Sequence, residues 1–273
     1  MFPPKRILFP VDFSERSEAV VPTVEAFARK FESELTLMHV IPPIPPDDRV
    51  YAPGAQLEAF ATRAEFKGVD VRTRVACGDP ATQIVEFAHD QKSDLIVMPT
   101  HGYGPFRRFL IGSVTLKVLH DAWCPVWTDA HTETLPSKPR FRSIVCALDL
   151  SPKSHTTLQW AWQFAEANDA KIVLVHAVPL LSSYGAEYVY GEWQQQIADS
   201  AGKQLDCLQR SENTHAPFEI VTGEVGVAIR IAVEDENADL LVIGRSTDDR
   251  PLGRLRTHAY PIIRNSPCAV VSV

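Results

Sequence analysis

The sequence predicts an α/β protein made of two tandem domains, each a doubly wound parallel sheet of five strands. Three observations support this prediction: the length of 273 residues, an internal repeat, and short apolar runs that alternate with segments of helical periodicity in each half. At about 150 residues per domain, the length suits two domains. Apolar strands separated by helices indicate parallel sheets that are covered on both faces.

The internal repeat spans most of the chain. Residues 7–17, ILFPVDFSERS, match residues 144–154, IVCALDLSPKS, at an offset of 137 positions. Further along, Gly78 corresponds to Gly223 at an offset of 145 positions. Ordered matches with small changes of offset indicate a duplicated domain. The second copy is expected to carry an eight-residue insertion between its second and third strands.

The repeat and the local composition also predict the domain boundaries. We expect a first domain at 1–130, a linker at 131–140 that is polar and carries two prolines, and a second domain at 141–273. The domains are expected to be related by a pseudo-twofold axis and to pair through their last strands, Pro125–Thr128 and Cys268–Val273. A short apolar edge strand needs such a cover.

Each element of the first half follows from a local pattern. Apolar residues recur at helical spacing over Glu15–Phe31. Asp79 suits a helix N-cap, and Pro80 suits the first helical position. The predicted order is a strand at 6–11, a helix at 15–31, a strand at 34–41, a short helix at about 55–66, a strand at 69–76, a helix at about 80–90, a strand at 94–99, a helix near 113–121 and a strand at 125–128. The second half repeats this order with a longer helix near 186–211.

Composition excludes several classes of function. The net charge of −7 and the isoelectric point near 5.7 argue against a surface built for nucleic-acid phosphates. The apolar runs are far shorter than the roughly 20 residues that cross a bilayer. Because the first residues lead directly into a strand without a cleavable apolar segment, we expect a cytoplasmic protein with no membrane partner.

Cysteine and histidine spacing gives no sign of a metal or redox site. The five cysteines include no C-x-x-C pair, and the nine histidines include no H-x-x-x-H or H-E-x-x-H pattern. We interpret the cysteines as reduced and mostly structural. His39 and His176, which correspond in the repeat, lie inside apolar strands and are interpreted as hydrogen-bonded core residues.

The candidate ligand site lies beyond the carboxyl ends of the strands, where the strand order of an open α/β sheet reverses. The segments that meet there are Pro10–Asp12 after the first strand, Val40–Ile41 after the second and the loop 98–115 after the fourth. In that loop, Gly112 precedes Ser113 at a helix start and would let helix N-terminal amides approach an anion. Arg107 and Arg108 would add positive charge.

From the residues alone, plainer readings of the same positions stay open. Gly102 and Gly104 also suit simple turns, and Ser113 also suits a helix N-cap. Asp12 and its repeat partner Asp149 would each suit a cap for the helix that follows. Arg107 and Arg108 also suit a solvated surface.

The same loop gives the chain a specific resemblance. Nucleotide-binding universal stress proteins carry G-x-x-G, nine residues, then G-S or G-T; here Gly102 is followed by nine residues and then by Gly112-Ser113. Pro99 replaces the first glycine of the pattern, which removes one N–H and fixes φ. Over nearly its whole length, in both halves, the chain resembles a tandem member of the universal stress protein family. The resemblance implies an adenine nucleotide alpha hydrolase-like fold.

The resemblance also implies a ligand and the residues that hold it. ATP or AMP would bind in the first domain, with adenine near Val40 and Asp12, phosphates on Gly102, Gly112 and Ser113, and any Mg²⁺ held through the phosphates. The complete set of expected nucleotide-binding residues is Pro10, Val11, Asp12, Val40, Met98, Thr100, Gly102, Gly112, Ser113, Val114 and Thr115.

The expected role is that of a stress-response sensor or binding module, as an intrachain pseudo-dimer that can also form a homodimer. One alternative is an ATP-hydrolysing or nucleotidyl-transferring enzyme on the same fold. Against it, the sequence has no G-x-x-x-x-G-K-[ST] loop and no paired carboxylates for Mg²⁺ beside the glycine loop. Another alternative is a structural or interaction protein whose nucleotide site has decayed.

The second half departs from the glycine pattern. Counting back from Cys268 as from its counterpart Cys124, Arg256-Thr257 stand where the first half has Gly112-Ser113. Thr247 falls where the second glycine would be, and Gly244 alone remains. We therefore expect that the second domain does not bind ATP in the family manner. In the alternative, Arg254 and Arg256 form a different kind of phosphate clamp.

Overall fold

The computed structural model describes residues 2–43, 52–100, 111–129, 139–180, 187–245 and 259–273. The chain divides into two compact units, Met1–Arg140 and Phe141–Val273. Each unit contributes five parallel strands to its sheet, with helices between successive strands. The predicted fold class, α/β with two doubly wound parallel sheets, is confirmed.

The first unit contains five strands and four α-helices among its described residues. Its sheet has the order β3-β2-β1-β4-β5, and neighbouring strands run parallel. The elements are β1 (Arg6–Pro10), α1 (Glu15–Phe31), β2 (Glu34–Ile41), α2 (Pro53–Ala61), a 3-10 turn (Ala64–Phe66), β3 (Asp70–Cys77), α3 (Pro80–Asp90), β4 (Leu95–Met98), α4 (Ser113–Asp121) and β5 (Val126–Thr128).

The second unit repeats this topology. Its sheet has the order β8-β7-β6-β9-β10, again with parallel neighbours. The elements are β6 (Ser143–Ala147), α5 (Ser154–Asn168), β7 (Lys171–Val178), α6 (Glu187–Glu212), β8 (Phe218–Thr222), α7 (Val225–Asp235), β9 (Leu240–Ile243), α8 (Ala259–Asn265) and β10 (Ala269–Ser272). The 26-residue helix α6 lies between β7 and β8, where the repeat offset changes.

Most helix and strand limits lie within about two residues of the predicted ones. The prediction of one short helix at about 55–66 is wrong, because that segment divides into α2 and the 3-10 turn at 64–66. Helix α2 also starts earlier than predicted, since Pro53 lacks an N–H and fits the first helical turn.

Buried aromatic side chains anchor the core of each unit. Trp127 of β5 is fully buried and meets the ring of Phe27 of α1 edge to face, with ring centroids 4.7 Å apart. In the second unit, Trp160 and Phe164 of α5 stack at 5.1 Å. Such aromatic pairs contribute about 0.5–1.5 kcal/mol each beyond their burial. The Phe27–Trp127 pair holds α1 on the sheet of the first unit, whereas Trp160 and Phe164 stack within one helix.

Two further expectations concern the thiols and the membrane. All five cysteines are free, and burial raises the pKa of the Cys268 thiol to about 11 and that of Cys146 higher still. These two thiols are therefore protonated and unreactive at neutral pH. Within the described ranges, no helix has both the length and the hydropathy to span a bilayer.

Candidate functional site

A cavity of about 290 Å³ opens at the carboxyl ends of β1, β2 and β4 in the first unit. Strand β1 lies between β2 and β4, so this is where the strand order reverses, the usual ligand position in open α/β sheets. Residues from the starts of α3 and α4 complete the wall. The volume lies near the lower end of the range for small-molecule sites.

A tight turn after β1 supplies the carboxylate of the cavity. Oδ1 of Asp12 accepts hydrogen bonds from the Ser14 amide at 3.0 Å and from the Ser14 hydroxyl at 2.6 Å, and the Ser17 hydroxyl also donates to it. Phe13 adopts the left-handed conformation, with φ of 59°, to close this turn. The carboxylate is therefore oriented before any ligand arrives.

The N-cap of α1 shows that Asp12 is not the residue that caps this helix. Ser14, not Asp12, occupies the N-cap position, and its hydroxyl oxygen accepts from the Ser17 amide at 3.2 Å. Asp12 contributes to the cap only indirectly, because its Oδ1 accepts a hydrogen bond from the Ser14 hydroxyl and so orients it. Its carboxylate lines the cavity instead of closing the helix.

A histidine ties β2 to the segment after β1. Nδ1 of His39 donates to the Val11 carbonyl at 2.7 Å, and the Val11 amide donates to the Met38 carbonyl at 2.7 Å. Because a carbonyl oxygen only accepts, the hydrogen bond places a proton on Nδ1. His39 is buried, as expected for a hydrogen-bonded core residue, and it also lines the cavity.

Helix α4 begins at the opposite wall. Gly112 is its N-cap, with φ of −60° and ψ of 146°, and Ser113 is the first helical residue, so the reading of Ser113 as the N-cap is wrong. The Gly112 amide donates to the Thr100 carbonyl at 2.8 Å, and the Thr115 hydroxyl donates to the Pro99 carbonyl at 3.0 Å. The amides of the first helical turn have no acceptor inside the helix and suit an anion.

The structure brings most of the predicted site residues together. Those that line the cavity are Pro10, Val11, Asp12, Val40, Met98, Gly112, Ser113, Val114 and Thr115. Thr100 does not line it; the residue is buried, and its carbonyl holds Gly112. Gly102, together with Gly104, Arg107 and Arg108, lies outside the described residues.

Sequence reasoning missed five residues that line the cavity: Ser17, Met38, His39, Pro80 and Ile84, besides Pro99, which it noted only as a departure from the motif. A signal existed for some of them. Met38 lies two positions before Val40 in β2 and so shares its face. Pro80 and Ile84 are four residues apart in α3 and lie on one side of that helix.

An ion pair at the surface joins the two helices that line the cavity. Oδ1 of Asp79 accepts from the Thr82 amide at 2.9 Å as the N-cap of α3, and Nζ of Lys117 in α4 donates to the same oxygen at 2.9 Å. The Thr82 hydroxyl also donates to it, and this hydrogen bond, followed by the one from Lys117, holds the Asp79 pKa far below its usual range. Asp79 therefore stays charged at all ordinary pH values.

The second unit keeps the turn after its first strand. Oδ1 of Asp149 accepts from the Ser151 amide at 3.0 Å and the Ser154 hydroxyl at 3.1 Å, and Leu150 has φ of 59°, as Phe13 does. Of the residues that distinguish the second loop, Gly244 follows β9 directly. Thr247, Arg254, Arg256 and Thr257 lie outside the described residues.

Comparison with known proteins gives the same family for both units. The model of the universal stress protein family matches residues 3–128 and again 140–273. A universal stress protein of Methanocaldococcus jannaschii, MJ0531, is 33% identical over 136 residues, which covers 45% of this chain and 79% of that protein. A putative universal stress protein of Staphylococcus aureus is 30% identical over 153 residues, 49% of this chain and 87% of its own length.

Solved structures show the same fold over the whole chain. A functionally unknown protein from Pseudomonas aeruginosa superposes with a TM-score of 0.75 at 17% identity, covering 99% of this chain and 92% of that one. A universal stress protein from Archaeoglobus fulgidus gives 0.66 at 20% identity, covering 98% and 95%. With the family model matched twice in tandem, the chain belongs to the universal stress protein family.

Proposed function

We propose that this protein binds an adenine nucleotide, ATP or AMP, in its first domain and acts as a cytoplasmic stress-response module whose partners respond to the bound state. One observation carries the proposal: the cavity at the reversal of strand order has an oriented carboxylate, Asp12, on one wall and the N-terminus of α4 on the other. A nucleotide needs both, because its nucleoside part donates hydrogen bonds and its phosphates are anionic.

The two walls support one orientation for the proposed nucleotide. The amides of residues 113–115 point from the start of α4, where the partial positive charge of the helix favours phosphate oxygens. Asp12, Val40 and Met98 lie on the strand side, where an apolar surface and a carboxylate suit the adenosine end. Any Mg²⁺ would reach the site through the phosphates.

We propose that Gly112 leaves room for a phosphate to reach the amides of the first turn of α4. Its own amide already donates to Thr100, and its φ of −60° is open to any residue, so glycine is not required for the backbone there. What a larger residue changes is the space beside the first-turn amides. A side chain at position 112 would separate them from a phosphate.

Isothermal titration of ATP into the full chain tests this proposal. Gly112→Val should fold normally and bind ATP at least tenfold more weakly, more than the loss of one hydrogen bond of roughly 1 kcal/mol. Gly54→Val is the matched control, since Gly54 lies in α2 and a Cβ there meets no atom within 4 Å. Unchanged ATP affinity in folded Gly112→Val would show that the phosphate end is misplaced.

Phosphate release measured in the same samples separates a binding module from an ATP-hydrolysing enzyme. A module should bind ATP tightly and leave it intact over many minutes. Turnover above the background rate that disappears in Gly112→Val would instead make this cavity an active site.

A further inference from the structure

Phe13 has a backbone conformation that large side chains rarely adopt. It lies between Asp12, whose carboxylate lines the first cavity, and Ser14, the N-cap of α1. Its φ of 59° falls in the left-handed region, where a bulky residue is an outlier. Such a conformation persists only where the surrounding structure holds it, and it is often found at functional sites. The contacts of the Phe13 side chain therefore bear on how the cavity works.

Aromatic rings outside the turn hold the Phe13 side chain. Its ring packs on that of His39 in β2, with centroids 4.7 Å apart and an interplanar angle of 33°. It also meets the ring of Phe60 in α2 edge to face, with centroids 6.1 Å apart and an angle of 69°. Phe60 is buried and lies 6.4 Å from the ring of Phe9 in β1. Phe13 thus links the turn after β1 both to β2 and to α2.

His39 connects these rings with the cavity. It lines the cavity, and its Nδ1 donates to the Val11 carbonyl at 2.7 Å. That carbonyl belongs to the residue directly before Asp12. The two residues that flank Asp12 are therefore held by the same imidazole, Val11 by a hydrogen bond and Phe13 by ring packing. The direction of the Asp12 carboxylate is in this way coupled to the position of the Phe13 ring.

The second unit shows that the turn itself does not need an aromatic residue. Leu150 takes the place of Phe13 there and has the same φ of 59°. The Ser151 amide donates to Oδ1 of Asp149 at 3.0 Å, as in the first turn. Asp149 is exposed, however, whereas Asp12 is half-buried. The ring of Phe13 therefore has a role beyond turn formation, in the unit whose aspartate is partly withdrawn from solvent.

We propose that Phe13 is a positioning residue for the ligand of the first cavity, and that its ring, packed on His39 and Phe60, holds the Asp12 carboxylate toward that cavity. The inference rests on the nucleotide site proposed above and adds to it a residue that does not line the cavity. It also connects the site to α2, because Phe60 lies outside the lining and yet supports Phe13. A displacement of α2 would therefore weaken the nucleoside end of a bound nucleotide from a distance.

Replacement of the aromatic residue by the leucine of the second unit tests the proposal in the full chain. Phe13→Leu introduces a side chain that adopts this φ at Leu150, and it removes the ring. In isothermal titration it should bind ATP roughly fivefold more weakly, the scale of one lost aromatic contact. Phe13→Gly should weaken ATP to a similar extent, although glycine suits the turn. Leu150→Gly is the matched control and should leave the ATP affinity within about twofold of the parent.

A second pair of variants separates positioning from stability. Phe60→Leu and Phe66→Leu each remove one buried ring from the same aromatic cluster, in which these two rings lie 6.1 Å apart. Both variants should lower the free energy of unfolding measured in urea. Phe60→Leu loses the contact with Phe13 and should also weaken ATP roughly threefold, whereas Phe66→Leu should leave the ATP affinity unchanged.

Hydrogen exchange of the Ser14 amide gives a readout that needs no ligand. This amide donates to Oδ1 of Asp12 at 3.0 Å, so its exchange rate reports how firmly the turn is held. Phe13→Leu should speed its exchange roughly fivefold. The Ser151 amide, which makes the equivalent hydrogen bond in the second unit, is the internal reference and should exchange as in the parent.

Two results would overturn the proposal. The first is an ATP affinity within about twofold of the parent in both folded Phe13→Leu and folded Phe13→Gly. The second is a Ser14 amide that exchanges in Phe13→Leu at the rate of the parent. A parent protein that binds no ATP would reject the nucleotide site proposed above, and the exchange of the Ser14 amide would then decide whether Phe13 positions Asp12.

Discussion

Asp129, directly after β5, shows how a single residue can set the pH dependence of stability. The side chain is buried, Nε1 of Trp127 donates to its Oδ1 at 3.3 Å, and within the described part of the chain its Oδ2 has no hydrogen-bond partner. Burial raises the pKa of this carboxyl to about 6, against the opposing effect of the Trp127 hydrogen bond. The native state therefore favours the neutral acid.

Asp129→Asn should stabilise the protein at pH 8 and have little effect at pH 4. Because the pKa is higher in the folded state than the 3.8 of an unperturbed Asp, the folded state binds more protons between pH 4 and 6. The stability of the parent therefore falls as pH rises through that window and stays lower above it. Asparagine keeps an acceptor for Trp127 and removes this loss, a gain of about 2–3 kcal/mol in the free energy of unfolding at pH 8.

Urea unfolding followed by tryptophan fluorescence at several pH values measures this effect. Asp70→Asn is the control, since Asp70 is exposed at the start of β3 and no gain is expected there. Equal stabilisation at pH 4 and pH 8 would assign the gain to something other than the ionisation of Asp129.

Single residues also show what the sequence could and could not predict about the site. The rule that ligands lie beyond strand ends was enough to select Asp12 and Val40, because strand ends are visible as the limits of apolar runs. The sequence did not show which acceptor each backbone amide of the site would bind. Gly112 donates to Thr100, a contact between residues 12 positions apart across the loop, and no local pattern encodes it.

At the scale of secondary-structure elements, helices α3 and α4 share one carboxylate. Asp79 caps α3 and binds Lys117 of α4. The sequence predicted the cap, since Asp followed by Pro at a helix start is a local pattern. It did not predict the ion pair, because Lys117 is 38 positions away and reaches Asp79 only after both helices pack on the sheet.

Two substitutions of Asp79 separate these contributions. Asp79→Asn keeps the cap on the Thr82 amide and loses the charge, so it should change the melting temperature little, as is usual for exposed ion pairs. Asp79→Ala loses both and should lower the melting temperature by roughly 2–4 °C. Thermal unfolding followed by circular dichroism checks the order; equal melting temperatures of the two variants would mean that the cap contributes nothing.

The limits of helices also have local and non-local causes. The 17 residues of α1 match the prediction because apolar spacing and the Ser14 cap both lie in the local sequence. The division of 55–66 into α2 and a 3-10 turn goes with contacts that the local sequence does not show: Nη2 of Arg29 in α1 donates to the carbonyls of Glu65 and Lys67 at 3.1 and 2.8 Å. Such tertiary packing overrides helical periodicity.

At the scale of the whole molecule, duplication has produced two similar units with different walls. Both keep an Asp turn closed by a residue at positive φ, Phe13 or Leu150, and both tie a histidine to the carbonyl before that Asp. These hydrogen bonds order the turn after the first strand of each unit, a role in folding that is the same in both copies. The glycine loop is where the two sequences differ: Arg256-Thr257 stand in the second unit where the first has Gly112-Ser113.

This asymmetry predicts one ATP per chain. The proposed phosphate wall exists in the first domain, so titration of ATP into the full chain should give a stoichiometry of one, and Gly112→Val should reduce binding at that site without revealing a second. ATP at 100 times its Kd should stabilise the parent by about 2.7 kcal/mol, because ligand that binds only the native state shifts the folding equilibrium. Gly112→Val should show much less of this stabilisation. Two ATP molecules per chain would mean that the second domain also binds phosphate, and a clamp formed by Arg254 and Arg256 of the second loop would then be the explanation to pursue.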